Sequence, residues 1–220
     1  MFYDVFFPND EDGDDVAQRQ LHLKRVLRFQ PPKIQPIDQQ SLVVFDFETT
    51  GLDVLKDEII EIGGLLIEGG KPVKEFSSLV KPDVPLTDNI VKITGITEDM
   101  LADQPRINEI LPEFLKFIDG SILVAHNADF DMAFLKAASE RLGYQLDWPC
   151  FCTLKLARQL LPDLESKNLD TLAAHYGLTF ESRHRSIGDC KVTSSVLQAF
   201  LKEDGAQLTT WNDFQPFAVT

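Results

Sequence analysis

The chain has 220 residues, 44% of them apolar, and a formal net charge of −14. That length and apolar share suffice for one folded domain with a real core and exclude a disordered or fibrous chain. No apolar run reaches the length of a membrane span, and the acidity argues at face value against nucleic acid, because phosphate binders usually carry a basic footprint.

The opening residues, "MFYDVFFPNDEDGDD", lack the basic flank and long apolar stretch of a signal peptide, so a cytoplasmic location is expected. In "VAQRQLHLKRVLRF", Val16, Leu23, Val26 and Leu27 stand at helical spacing beside Lys24, Arg25 and Arg28. This predicts a helix, either packed on the protein or serving as a docking or nucleic-acid arm, which "QPPKIQP" ends. Residues 1–40 therefore read as an N-terminal extension, 41–205 as a domain and 206–220 as a tail.

"SLVVFDF", "EIIEIGGLLIEGG" and "KPVKEFSSLVKP" read as strands in a meander, with a turn at Gly69 and Gly70. "INEILPEFLKFI" is an amphipathic helix whose Pro112 is expected in its first turn or at a bend. "SILVAHN" is a short buried strand that leads into a helix at "DFDMAFLKAASERLG", stopped by Gly143. "TLKLARQLL", "LDTLAAHYG" and "IGDCKVTSSVLQAFLKE" add three helices. Strands first, then strands alternating with helices, predict an α/β fold with a mixed sheet flanked by helices. Cys150, Cys152 and Cys190 suit neither a disulfide framework nor a zinc site and read as reduced thiols.

Three stretches carry polar groups where this pattern wants none. In "VVFDFETTGLD", Asp46 and Glu48 follow an apolar strand two residues apart, so alternation points both to one face. "VAHNADFD" sets His126, Asn127, Asp129 and Asp131 just beyond a strand end, where open sheets bind ligands. "RHRSIGDC" places His184 and Asp189 at the start of the last long helix. Carboxylates converging in this way repel one another unless cations sit among them, and hard oxygen ligands suit Mg²⁺ or Mn²⁺. Two such ions can support an in-line displacement at phosphorus, and a neutral imidazole can take a proton from the attacking water.

"FDFETTGL", "HNADFD" and "HRSIGDC", in that order, resemble the three motifs of the DEDDh, or DnaQ-like, 3′→5′ exonucleases. The resemblance is to the branch of the bacterial replicative polymerase's proofreading epsilon subunit. It covers roughly residues 40–203, including "ITGITEDMLADQP" and "TLKLARQLLPDLESKNLDTLAAHYGL". It implies a ribonuclease H-like fold with about five central strands, and hydrolysis of DNA from single-stranded or frayed 3′ ends with release of nucleoside monophosphates. Two Mg²⁺ or Mn²⁺ ions would be held by Asp46, Glu48, Asp131 and Asp189, with Asp46 shared and His184 as general base. The backbone around Thr49 and Thr50 would grip the 3′-hydroxyl, beside Gly51. Leu52 would wedge against the last bases and Ile96 would pack near the terminal nucleotide. His126, Asn127 and Phe130 complete the expected substrate-binding set.

The family often has Asp at the position of Cys152, a departure outside the metal set. Arg183 and Arg185 are candidates to approach phosphate, whereas Asp129 reads as a helix-terminus charge. The resemblance also implies a tie to a DNA polymerase or another replication or repair protein, which would offset the weak DNA binding expected of an acidic surface. Two other readings remain open: an exoribonuclease acting on short RNA, and a noncatalytic docking module. In the tail, Trp211, Phe214 and Phe217 either pack onto the domain or face a partner.

Overall fold

The structure, a computed structural model, describes residues 25–203 and 208–219. Its first element corrects the helix expected around Val26. Arg25–Arg28 form a strand, β1, paired in parallel with β6 (Tyr144–Asp147). The rest of that expected helix lies outside the described residues. Four residues suffice for strand alternation: Val26 is exposed while Leu27 packs on the core, and Arg28 pairs with Asp147 at 2.5 Å. A helical stripe would have buried both apolar side chains together.

The meander forms as expected. β2 (Leu42–Thr49), β3 (Ile59–Glu68) and β4 (Lys71–Leu79) pair antiparallel in sequence order. The β3–β4 turn uses Gly69 and Gly70 at φ 56° and 71°, left-handed values that glycine adopts without strain. α1 (Asp88–Thr94), α2 (Glu98–Leu101) and α3 (Ile107–Phe117) follow. Of the two positions expected for Pro112, the first turn is not the one observed: it lies further inside α3.

β5 (Ile122–Ala125) pairs in parallel with β2 and with β7 (Cys150–Cys152), which gives the sheet order β4-β3-β2-β5-β7. α4 (Ala128–Arg141) links β5 to β6, and Gly143 just past it has φ 81°, as its C-terminal stop requires. α5 (Thr153–Leu160), α6 (Leu169–His175) and α7 (Ser186–Glu203) are the three further helices expected. α8 (Trp211–Phe214) follows, continued by a 3-10 turn over Gln215–Phe217.

Two buried clusters cover the two faces of this mixed sheet. Val43, Phe45 and Phe47 of β2 pack with α3 and α4, whereas Leu42 and Val44 pack with α5, α6 and α7. The tail aromatics belong to the second face: Trp211, Phe214 and Phe217 are buried, and Phe214 meets Phe151 at 4.6 Å between ring centroids. Of the two readings of those residues, packing is the one observed. Beside them, Ala218 bridges to Phe151 and the Val219 N–H donates to the Cys150 carbonyl, so the tail covers the β7 edge.

Candidate active site

On β2, the face that carries Leu42 and Val44 continues into Asp46 and Glu48, so both carboxylates point toward the α7 side. Across the β2–β3 ladder, Asp46 faces Gly63 and Glu48 faces Glu61, and the register shifts immediately after Glu48. Such bulges re-aim side chains at the ends of strands. Gly63 lets α7 approach: a Cβ there would lie 2.6 Å from the Ser186 carbonyl carbon. Gly188 does the same for the preceding loop, since a Cβ would lie 2.0 Å from the Ser182 carbonyl oxygen.

With α7 seated this closely, Asp189 in its first turn reaches the strand carboxylates. Oxygens of Asp46, Glu48 and Asp189 all lie within 4.8 Å of one another. Asp131, buried in the first turn of α4, accepts the Phe47 N–H at 3.1 Å, and that bond ties it to the same strand. Burial raises the Asp46 carboxyl well above its ordinary range, and Asp131, Glu48 and Asp189 push it further. Burial, then Asp189 and Glu61, lift Glu48 to about 8. Burial lifts Asp131 to about 7 and Asp189 to about 6. Carboxylates gathered this closely form a group that could hold cations. Asp189 Oδ1 fits that reading, being buried with no hydrogen-bond partner among the described residues.

His184 stands outside the set of close oxygens, half-buried in the loop before α7 with φ 57°. Burial, then the neighbouring Arg183 charge, lowers its pKa, which favours the neutral imidazole that a general base requires. The two arginines beside it are both paired with carboxylates. Arg183 makes a two-pronged contact with Asp170 at 2.6 and 3.0 Å and reaches Asp189 Oδ2 at 2.5 Å. Arg185 places Nε and Nη2 on Glu61 at 2.9 and 2.6 Å.

Of the expected substrate contacts, Leu52 is 84% exposed on the loop after β2. Thr49 and Thr50 are buried and occupied within that loop. The Thr49 hydroxyl donates to the Gly51 carbonyl at 2.6 Å, the Thr50 hydroxyl to Asp57 at 3.1 Å, and the Thr50 N–H to the Glu58 carbonyl at 2.9 Å. Gly51 sits against the same Asp57 carboxylate, where a Cβ would be 2.4 Å from Oδ2. These residues shape the loop that presents Leu52. Ile96 corrects its expectation: it is fully buried with Ile60 and Leu101, which leaves no side-chain surface for a nucleotide.

Asn127 is exposed at φ 65°, a left-handed conformation that asparagine tolerates, at the entry to α4. Phe130 is half-buried and packs on Phe134 at 4.9 Å. His126 turns inward: Nδ1 lies 3.0 Å from the Thr153 hydroxyl, and burial lowers its pKa to about 4. Asp129 pairs with Lys155 at 3.0 Å, apart from the carboxylate cluster. The Cys152 sulfur accepts the Ala128 N–H at 3.3 Å, filling with a thiol the acceptor position at the start of α4.

A family model described as "Exonuclease" matches residues 43–197. The chain belongs to this exonuclease family. The PolC-type DNA polymerase III of Caldanaerobacter subterraneus subsp. tengcongensis is 44% identical over 163 residues, and that of Thermotoga maritima 45% over 164. Each of these matches takes in 74% of this chain and only 12% of the polymerase, so the chain spans a small part of those relatives. A solved structure of exonuclease X in complex with 5′-overhanging duplex DNA is 32% identical, with TM-score 0.62, covering 74% of this chain and 93% of that one. Exonuclease I, 17% identical with TM-score 0.69 over 77% of this chain and 42% of its own, shares the fold. The sheet and its flanking helices are thus the ribonuclease H-like arrangement expected of the exonuclease family.

One residue of the site escaped the sequence reading. Glu61 is 1% exposed on β3, in a strand that is otherwise apolar apart from its end. A lone carboxylate within "IIEIGG" was the available signal, and its partners lie too far along the chain to be read beside it.

Proposed function

We propose that this chain is a 3′→5′ exonuclease that removes nucleoside 5′-monophosphates from the 3′ ends of DNA. The observation that carries the reading is the convergence of Asp46, Glu48 and Asp189 oxygens within 4.8 Å, with Asp131 fastened to the same strand. Those four carboxylates would hold two Mg²⁺ or Mn²⁺ ions, for which oxygen donors are the suitable class. Ions bound there supply positive charge to the scissile phosphate and its leaving oxygen.

The chain's own residues do the rest. Arg183 fixes Asp189 through Oδ2 and leaves Oδ1, buried, without a hydrogen-bond partner among the described residues. His184, kept neutral by its surroundings, takes the proton from the attacking water. Leu52 meets the terminal bases from a loop braced by Thr49, Thr50 and Asp57. Asn127, exposed at the start of α4, lies where a phosphate can approach. Exonuclease X, alike over most of its length and solved with duplex DNA, supports DNA as the substrate. The PolC-type relatives support work alongside a replicative polymerase, with proofreading as the role. No helix among the described residues is long and apolar enough to cross a membrane.

The test is an oligomer degradation assay with 3′- and 5′-labelled DNA, run with Mg²⁺, with Mn²⁺ and with chelator, beside Asp46→Ala. The expected result is early loss of the 3′ label that needs metal and vanishes in the variant. A folded chain that shortens RNA but not DNA would overturn the substrate. One that shortens neither would overturn the activity.

A further inference from the structure

Glu61 is a carboxylate with almost no exposure that belongs neither to the group of close oxygens nor to any surface a nucleic acid could touch. Among the described residues, its side-chain hydrogen bonds run to one short segment. Oε1 accepts both Nε and Nη2 of Arg185, at 2.9 and 2.6 Å, and Oε2 accepts the Ser186 backbone N–H at 2.8 Å. That segment directly follows His184 and contains the first residue of α7, the helix that carries Asp189. The backbone reinforces the attachment: Gly63, two residues along the same strand, is where the Ser186 backbone rests.

The cost of the arrangement argues that it is retained for a purpose. Glu61 faces Glu48 directly across the β2–β3 ladder, and like charges in opposed positions destabilise a sheet. Arg185 compensates, yet a buried ion pair is often no more stabilising than apolar residues of the same volume. What an apolar replacement cannot supply is a directional hold on one arginine and one backbone N–H. His184, next to that hold, sits at φ 57°, a conformation that costs a non-glycine residue energy and persists only when its neighbours fix it.

We infer that Glu61 is a positioning residue which, through Arg185 and the Ser186 N–H, sets the placement of His184 and Asp189 against Asp46 and Glu48. The inference rests on the exonuclease reading for its kinetic consequence and on the carboxylate cluster alone for its metal-binding consequence.

The test compares the full chain with Glu61→Gln, Arg185→Gln, the double variant and Arg185→Lys. It measures kcat, KM and melting temperature on a DNA oligomer, and Mn²⁺ affinity by electron paramagnetic resonance. Phe214→Ala, a buried tail residue, serves as a control for lost stability alone. Expected is a fall of about 10- to 100-fold in kcat and in Mn²⁺ affinity for Glu61→Gln, the range that loss of a ligand-orienting partner typically costs. KM should change far less. The double variant should be no worse than the more damaged single one, because both act through one contact. Arg185→Lys, which keeps the charge but loses the fork, should fold and show an intermediate loss, so the question stays decidable if Glu61→Gln does not fold.

Unchanged kcat and Mn²⁺ affinity in folded Glu61→Gln or Arg185→Lys would overturn the inference. So would losses no greater than those of a Phe214→Ala protein of equal melting temperature. A wild-type chain that binds Mn²⁺ but releases no nucleotide would sink the activity reading instead, and the Mn²⁺ affinities would still decide the role of Glu61.

Discussion

Asp46 sits where stability and chemistry conflict. Its carboxyl is held well above the ordinary range by burial and by three neighbouring acids, so ionising it in the metal-free chain costs folding energy. Asp46→Asn removes that cost and keeps the shape. Without added metal at pH 8, the variant should melt several degrees above wild type, as scanning calorimetry would show. It should also lose nucleotide release by about 10³-fold, the equivalent of several kcal/mol of lost charge stabilisation. A variant that melts lower would mean that Asp46 is a net structural support. The carboxylates were legible in the sequence because each breaks an apolar pattern at a strand end or helix start. Ile96 was misplaced because the pattern "ITGIT" marks a turn without saying which way its side chain faces.

Among the elements, helix placement depends on two missing side chains. Gly63 and Gly188 admit α7 and the loop before it to distances that no Cβ permits. Gly63→Ala should therefore lift α7 from β3, costing about 1–3 kcal/mol as overpacking typically does. Activity should fall further than the melting temperature implies, because Asp189 rides on that helix; equal retention of both would count against the close seat. The tail makes a different prediction. Trp211→Ala removes a buried ring from the face shared with α7 and should destabilise by about 3–5 kcal/mol in urea unfolding, while an exposed docking residue would cost almost nothing. β2, β3 and α4 were readable because their apolar periods are long. β7 has only three residues, and four residues of β1 fit a helical and an extended pattern equally well, so neither could be read locally. The tail could not be read either, since the face it covers is built from residues far earlier in the chain.

For the molecule as a whole, the raised carboxyls link stability to pH. A carboxyl whose folded pKa is raised stabilises below its unfolded value, and the contribution is lost as pH climbs through the folded value. With Asp189 at about 6, Asp131 at about 7 and Glu48 at about 8, the metal-free chain should lose melting temperature steadily between about pH 4 and pH 8. Saturating Mn²⁺ should restore it, with a larger gain at pH 8 than at pH 5; equal gains at both would mean the carboxylates are not where the ions bind. The net charge of −14 stops being an objection once the attraction for phosphate is assigned to bound cations instead of to the protein surface. The distance along the chain between the parts of the site has a further consequence. Glu61 and Arg185 are 124 residues apart, and the carboxylates come from β2 early in the sequence, α4 midway and α7 late. Contacts this far apart in sequence carry a loop-closure cost that slows folding. A chain in which α7 has not docked holds Asp46 and Glu48 without Asp189 beside them. Under the proposed function, such a chain would lack a carboxylate of the site and would not cut DNA.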